Sequence, residues 1–215
     1  MMAITHDLDK ISDFFIAAFP KMDHTEQVLA RTVYQQLSLG EPLHQEHLAE
    51  LLEQAPDTVR EKLKKWGSVF YNEANDIIGF LGITVNETPH HMLMNEKKCY
   101  AWCAWDTLFI PELIGATVQI TSVCATTNEI IILTVSPQSI HPTQTDIWVS
   151  FLLPDKKSVQ ENVSTSFCHF VHFFNSKEAG ETWTNQHNNI FLLSLNEAFE
   201  VGKKVNAARF STVLS

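Results

Sequence analysis

Glycine is scarce in this chain, 7 of 215 residues. No glycine-rich phosphate loop, dinucleotide fingerprint or Gly-x-Ser-x-Gly elbow occurs, which argues against a nucleotide cradle. Cysteine is sparse too: the four thiols stand at Cys99, Cys103, Cys124 and Cys168. None forms a Cys-x-x-Cys pair, so a zinc ribbon is not indicated. Basic residues are few, 15 against 25 acids, and the formal net charge of −10 argues against a surface built for nucleic acid or anionic membrane. Near the N-terminus the longest apolar run is Phe14 to Phe19, too short for a targeting or spanning segment. The expectation is a soluble, cytoplasmic protein whose thiols are reduced. No internal repeat or low-complexity stretch is present. A hydrophobic fraction of 45% with 10% aromatics suffices for a sizeable core, in one large domain or two small ones.

Apolar periodicity and breakers divide the first third into helices. The spacing predicts an amphipathic helix from Ile4 to Phe19, ended at Pro20. A second, capped by Thr25, runs to Leu39, where Gly40 and Pro42 stop it. Leu43 to Gln54 reads as a third, with Leu43, Leu48, Leu51 and Leu52 inward. Pro56 to Trp66 reads as a fourth, with Val59, Leu63 and Trp66 inward. Strand-like pieces follow at Ser68–Tyr71 and Ile77–Val85. Three short helices and a two-strand ribbon make a winged-helix pattern. Such domains often bind DNA, and Arg60, Lys62, Lys64 and Lys65 lie on the last of these helices. From Thr25 to Trp66, however, five basic residues face seven acidic ones, a poor match to phosphates. No nucleic-acid partner is expected, and this part is read as packing over the remainder. His90, His91 and Met92 are expected in a connector.

The rest alternates strands and helices. Thr117–Val123 and Glu129–Val135 form a predicted hairpin with Cys124 at its bend, where a structural thiol is the simpler reading. Pro111 is expected to stop a helix near Ile110 or to open a new turn, and Gly115 to close the segment. Ile147–Leu153 is a predicted strand ended by Pro154, and Asp155–Asn162 a polar loop or short helix. A helix over Lys177–His187, a strand at Ile190–Leu193 and a last helix to Phe210, with Ser194 and Glu197 as a capping box, complete the pattern. The fold class is α+β. A winged-helix-like helical domain (residues 1–88) precedes a mainly antiparallel sheet core with flanking helices (residues 89–215).

Two stretches carry chemistry. In Tyr100–Phe109, Cys103 and Asp106 stand three apart inside an aromatic run. A helix beginning near Cys103 would set both on one face and favour the thiolate. Desolvation by Trp102, Trp105 and Phe109 would raise the Asp106 pKa, so that it holds a proton to deliver. These aromatics either line a pocket or pack the core. The second stretch, Thr165–Phe174, reads as a buried strand carrying Cys168. In strand geometry Cys168, Phe170 and His172 share one face, with His169 on the other, which does not assemble a zinc site. Two thiolates and a carboxyl suit a soft, linear-coordinating metal such as mercury.

Several blocks in order carry a resemblance: Ala101-Trp-Cys-Ala-Trp-Asp-Thr-Leu108, Ile114-Gly115, Thr134-Val-Ser-Pro137, Ser166-Phe-Cys-His169, Val171-His-Phe-Phe174 and Glu197-Ala-Phe199. Together they resemble the alkylmercury (organomercurial) lyase family. The resemblance implies a catalytic cysteine pair at Cys103 and Cys168 and a proton donor at Asp106, with all three contacting mercury as substrate or product. It implies no organic cofactor or catalytic metal. The implied substrate is an organomercurial delivered on cellular thiols, cleaved to hydrocarbon and Hg(II), with mercuric reductase as the next carrier. His169 stands where some members carry a second cysteine, and Cys99 looks like an addition. The rival reading is a binding protein: a winged-helix regulator sensing a soft metal through Cys103 and Cys168, or a mercury scavenger. The acidic balance and a proton donor beside the thiols weigh against it. A zinc- or copper-handling protein lacks ligand spacing.

Overall fold

The computed structural model describes residues 7–19, 21–153, 157 and 162–214. Expectations at Pro20, at Pro154, and over nearly all of Asp155–Asn162 lie outside these residues, as does the start of the first helix at Ile4. Four helices open the chain. α1 (Leu8–Ala18) is capped by Asp7 and buries Ile11, Phe15 and Ala18. α2 (His24–Leu37) starts at Asp23 rather than Thr25, because Asp23 and Glu26 close a reciprocal box. The Asp23 carboxylate accepts the Glu26 N–H at 2.8 Å and the Glu26 carboxylate accepts the Asp23 N–H at 3.1 Å.

α3 is shorter than expected, Gln45–Leu51, because Leu43 is extended and exchanges both backbone bonds with Ile77 at 2.9 Å. Its inner face is Leu48 and Ala49, while Leu51, expected inside, is exposed. α4 (Pro56–Leu63) buries Val59 and Leu63, with Trp66 beyond it, as the spacing predicts. Arg60 pairs with Asp57 and Glu46, and Lys65 with Glu26, so those cations meet the chain's own carboxylates.

The main sheet is antiparallel, in the order β1-β2-β3-β5-β4-β6-β7-β8. Its strands are β1 (Val69–Tyr71), β2 (Ile77–Phe80), β3 (Ile83–Thr84), β4 (His90–Met94), β5 (Lys97–Ala101), β6 (Val118–Val123), β7 (Ile130–Val135) and β8 (Ile140–Pro142). The ribbon of β1 and β2 does not stand apart, since β3 pairs with β5 and joins it to the later strands. The run Ile77–Val85, expected as one strand, folds back at Leu81 and Gly82, both with positive φ (41° and 108°). His90-His91-Met92 is strand rather than connector. A turn at Asn95 and Glu96, both left-handed, sets β4 against β5 in a hairpin.

α5 (Asp106–Ile114) runs through Pro111, so neither the expected stop near Ile110 nor a new turn opening at Pro111 occurs. The ring loses only its own N–H, while its carbonyl still accepts from Gly115 at 3.0 Å. Gly115 then ends the helix at φ 74°. A second sheet has the order β10-β9-β11, from β9 (Trp148–Leu152), β10 (Phe173–Phe174) and β11 (Ile190–Ser194).

The predicted strand over Thr165–Phe174 is overturned. Residues Val163–Ser166 form a single helical turn, α6, capped by Asn162, and Cys168–Phe170 a 3-10 turn. Only Phe173 and Phe174 pair as strand. α7 (Lys177–Thr184) and α8 (Leu195–Arg209) follow, α8 with the Ser194/Glu197 capping box expected of it. The architecture is a mixture of helices with antiparallel sheets. α8 lies against α1 and α5, which brings the two ends of the chain together over the Cys103 segment. Among the described residues no helix is long and apolar enough to cross a membrane.

Candidate functional site

Cys103 lies after β5 and three residues before α5. The helix therefore begins at Asp106, not at Cys103. The pair meets through a tight local bond instead of a shared helix face: the Cys103 N–H donates to Asp106 Oδ2 at 3.0 Å. Backbone bonds fix the segment on both sides. The Trp102 N–H donates to the Gly82 carbonyl at 2.8 Å, and the Ala104 N–H to the Val171 carbonyl at 3.2 Å. Gly82 has a second role at this point. A Cβ on it would lie 2.5 Å from Asp106 Oδ1, so the carboxyl occupies space that only glycine leaves.

Cys168 arrives from the other direction. The 3-10 turn that carries it is closed by the Val171 N–H to the Cys168 carbonyl at 3.2 Å. Ser150 on β9 holds the far side: its hydroxyl donates to the Phe170 carbonyl at 2.8 Å and accepts the His172 N–H at 2.9 Å. Cys168 Sγ then donates to Asp106 Oδ2 at 3.6 Å. The ligand atoms of Cys103, Asp106 and Cys168 all lie within 4.8 Å of one another, and all three residues are buried. Both cysteines are free thiols.

This group alone, among the described residues, could hold a metal ion through three or more cysteine, histidine or acidic side chains. Two adjoining thiols beside a carboxyl are soft donors that select a soft ion. Cys99 and Cys124 stand outside it, as do His90, His169 and His172. Cys99 is buried on β5 with its thiol pushed up to about 12. Cys124 Sγ donates to Asn175 Oδ1 at 3.4 Å and accepts the Thr127 N–H at 3.5 Å. His90 is paired with the Ser122 hydroxyl at 2.8 Å, and burial holds its pKa down at about 3. His172 packs on Trp183, ring centroids 5.0 Å apart, and His169 is exposed.

Electrostatics correct one expectation and support another. No helix terminus supplies a thiolate at Cys103. Burial pushes that thiol well above its ordinary range, and the neighbouring Cys168 and Asp106 add to the effect. Cys168 settles at about 11, its hydrogen bond with Cys103 pulling down while burial and the Asp106 charge push up. Asp106 is raised to about 7 by burial, against hydrogen bonds from Cys103 and Cys168 that lower it. The resting site therefore holds two neutral thiols and a carboxyl balanced near neutrality. Its carboxylate form can accept a thiol proton, and its acid form can return one.

A cavity of about 60 Å³ reaches Asp106. Trp105 and Phe109 line it, as the sequence allowed, whereas Trp102 does not. Trp102 packs on Phe70 at 5.1 Å and covers Gly79. The other walls come from elements far apart in the chain: Phe15 of α1 and Phe19 just after it, Tyr34 of α2, Leu81, Phe167, and Arg209 with Phe210 at the end of α8. Phe15, Trp105, Phe151 and Phe167 form one aromatic cluster, with centroid separations of 4.8 to 6.3 Å. Burying each such ring contributes about 2–3 kcal/mol and keeps the thiols dry. The Tyr34 hydroxyl donates to the Leu81 carbonyl at 2.8 Å and fixes the Gly82 turn from above. Sequence reasoning missed Gly82, Ser150, Tyr34 and Arg209. Only Gly82 left a trace, as a glycine interrupting a strand-like run.

The comparisons agree on one family. The family model for alkylmercury lyase (MerB) matches residues 83–206, which include Cys103, Asp106 and Cys168. An alkylmercury lyase of Bacillus cereus is 39% identical over 176 residues, covering 81% of this chain and 79% of its own length. One of Staphylococcus epidermidis is 35% identical over 207 residues, 93% of each chain. A crystal structure of the mercury-bound form of MerB2 superposes with a TM-score of 0.74 at 22% identity. It covers 97% of this chain and 98% of the other, a likeness of fold.

Proposed function

This chain belongs to the alkylmercury lyase family, and from that premise we propose that Cys103, Cys168 and Asp106 together cleave the carbon–mercury bond of an organomercurial. The observation that carries the assignment is the mutual approach of two buried thiols and one carboxyl within 4.8 Å.

The protein is a lyase, and the reaction is protonolysis. An organomercurial arrives as its thiol complex, R–Hg–S–R′. One cysteine forms a sulfur–mercury bond as the bond to R′S breaks, and R′SH leaves with the cysteine's proton. The second thiol transfers its proton to the Asp106 carboxylate and adds to mercury. Two sulfur donors raise electron density on the metal and weaken its bond to carbon. The Asp106 carboxyl then gives its proton to carbon as the carbon–mercury bond breaks, releasing R–H and leaving Hg(II) between two thiolates. Two further thiols R′SH exchange the mercury out as Hg(SR′)2 and return the protons to Cys103 and Cys168. Atoms and charge balance without a redox step or an organic cofactor.

A carboxyl raised to about 7 suits both halves of Asp106's task, since it can be charged before attack and acidic afterwards. We read residues 1–88 as a helical, winged-helix-like part that covers the site and residues 89–215 as the catalytic part. The support is that Phe15, Phe19 and Tyr34 line the cavity. Reduced thiols fit a cytoplasmic enzyme that draws on cellular thiols and passes Hg(II) to mercuric reductase. In D2O, methylmercury with excess thiol is expected to yield monodeuterated methane. Undeuterated methane, or ethane, would exclude protonolysis by an exchangeable acid.

A further inference from the structure

Among the described residues that line the cavity, only Asp106 and Arg209 carry charge. They are not each other's partner. Asp106 is governed by burial and by the two thiols, and Arg209 is not among the groups that shift it. Arg209 is the last residue of α8, and its guanidinium lies over the Phe19 ring, 4.7 Å from the centroid. Among the described residues it forms no ion pair. The chain's other two arginines differ. Arg31 donates to the carbonyls of Leu113 and Val213, and Arg60 is bound to Asp57 and Glu46. Burial lowers Arg209 to about 10, which leaves it charged at neutral pH. Arg209 lines the aromatic-walled cavity, and among the described residues its guanidinium donates to no hydrogen-bond acceptor, leaving a fork matched in geometry to a carboxylate.

We propose that Arg209 is a specificity residue that binds a carboxylate carried by the organomercurial complex while the carbon–mercury bond lies against Asp106. The inference rests on the lyase reading above. The carboxylate has two possible sources, the organic group on mercury or the thiol that brings the mercury in. Either is anchored by the same guanidinium, and a complex with neither relies on the aromatic walls alone.

The test is a ratio of kcat/KM values. Phenylmercury and 4-carboxyphenylmercury, each presented with excess 2-mercaptoethanol or with excess mercaptoacetate, are given to the wild-type protein, Arg209→Gln and Arg209→Lys. Benzene or benzoate is measured. The ratio of carboxylate-bearing to neutral complex is expected to be about tenfold higher in the wild type than in Arg209→Gln, with the difference in KM and part of it retained by Arg209→Lys. A difference with the aryl carboxylate assigns the organic group; a difference with mercaptoacetate assigns the thiol. Because each ratio is taken within one variant, loss of folded protein does not move it. An equal ratio in wild type and Arg209→Gln in both arms overturns the role of Arg209. No benzene from phenylmercury and the wild type overturns instead the lyase reading beneath it.

Discussion

The two cysteines reach one carboxyl from regions built in different ways. Cys103 and Asp106 belong to a single short segment, joined by their own N–H to carboxylate bond and pinned by backbone bonds to Gly82 and Val171. Cys168 sits on a 3-10 turn held by the Ser150 hydroxyl, by backbone bonds from Ala104 to Val171 and from Ser150 to His172, and by the packing of Phe167 among Phe15, Trp105 and Phe151. The first half of the site is joined within one short segment and then anchored by tertiary backbone bonds. The second is fixed by tertiary packing. The difference teaches that the acid and one thiol share a single short segment, to which the other thiol is docked by tertiary contacts.

The largest effects treat the halves alike. Cys103→Ser and Cys168→Ser are each expected to abolish turnover, because bis-thiolate coordination needs both sulfurs. Sustained hydrocarbon release by Cys168→Ser would remove the docked half from the chemistry. Asp106→Asn comes next. It should bind one mercurial per chain and cleave it about 10²–10⁴-fold more slowly. The same substitution should stabilise the fold at high pH. A carboxyl raised from 3.8 to about 7 binds more protons folded than unfolded, so its penalty grows as pH rises from about 4 to 7 and is complete above it. Relief of about 2–4 kcal/mol is expected in urea at pH 8 and none at pH 3. An equal effect at both would contradict the raised pKa.

Gly82→Ala tests the first half alone. Its methyl group would meet Asp106 Oδ1, and its φ of 108° is strained for alanine. A loss of about 10²-fold in kcat is expected, with mercurial binding by the cysteines retained. Ser150→Ala tests the docked half. It leaves the Phe170 carbonyl and the His172 N–H without their partner, at a cost of about 1–3 kcal/mol in urea unfolding. Activity should fall less than in Gly82→Ala. The reverse order would mean that Cys168 is the more tightly held side.

That contrast also governs what could be read in the chain. Cys103 and Asp106 were legible because three residues of separation confine them whatever follows, even though the helix expected at Cys103 begins at Asp106. The Ser194/Glu197 box was legible for the same reason. The Cys168 backbone was not. Phe167 to Phe174 is an apolar, aromatic run such as a buried strand presents, but Phe167 serves a three-dimensional cluster, and Asn162 starts a helical turn ahead of it. Asp23 displaced Thr25 as a cap because Asp23 and Glu26 close a reciprocal box, which Thr25, with Val28 three residues on, cannot. The cavity was out of reach, since its walls join Phe15 and Tyr34 to Arg209 and Phe210 from the far end of the chain. Trp102 shows the limit of composition: it neighbours Cys103 in sequence and points at Phe70.

The central claim is that two thiols and a carboxyl within 4.8 Å break a carbon–mercury bond catalytically. The most direct test is headspace gas analysis of the purified protein with methylmercury and excess thiol, beside Cys103→Ser. Methane released over many turnovers by the wild type, and lost in the variant, is the predicted result. Tight retention of mercury with no methane would contradict it and leave a metal-binding protein in its place.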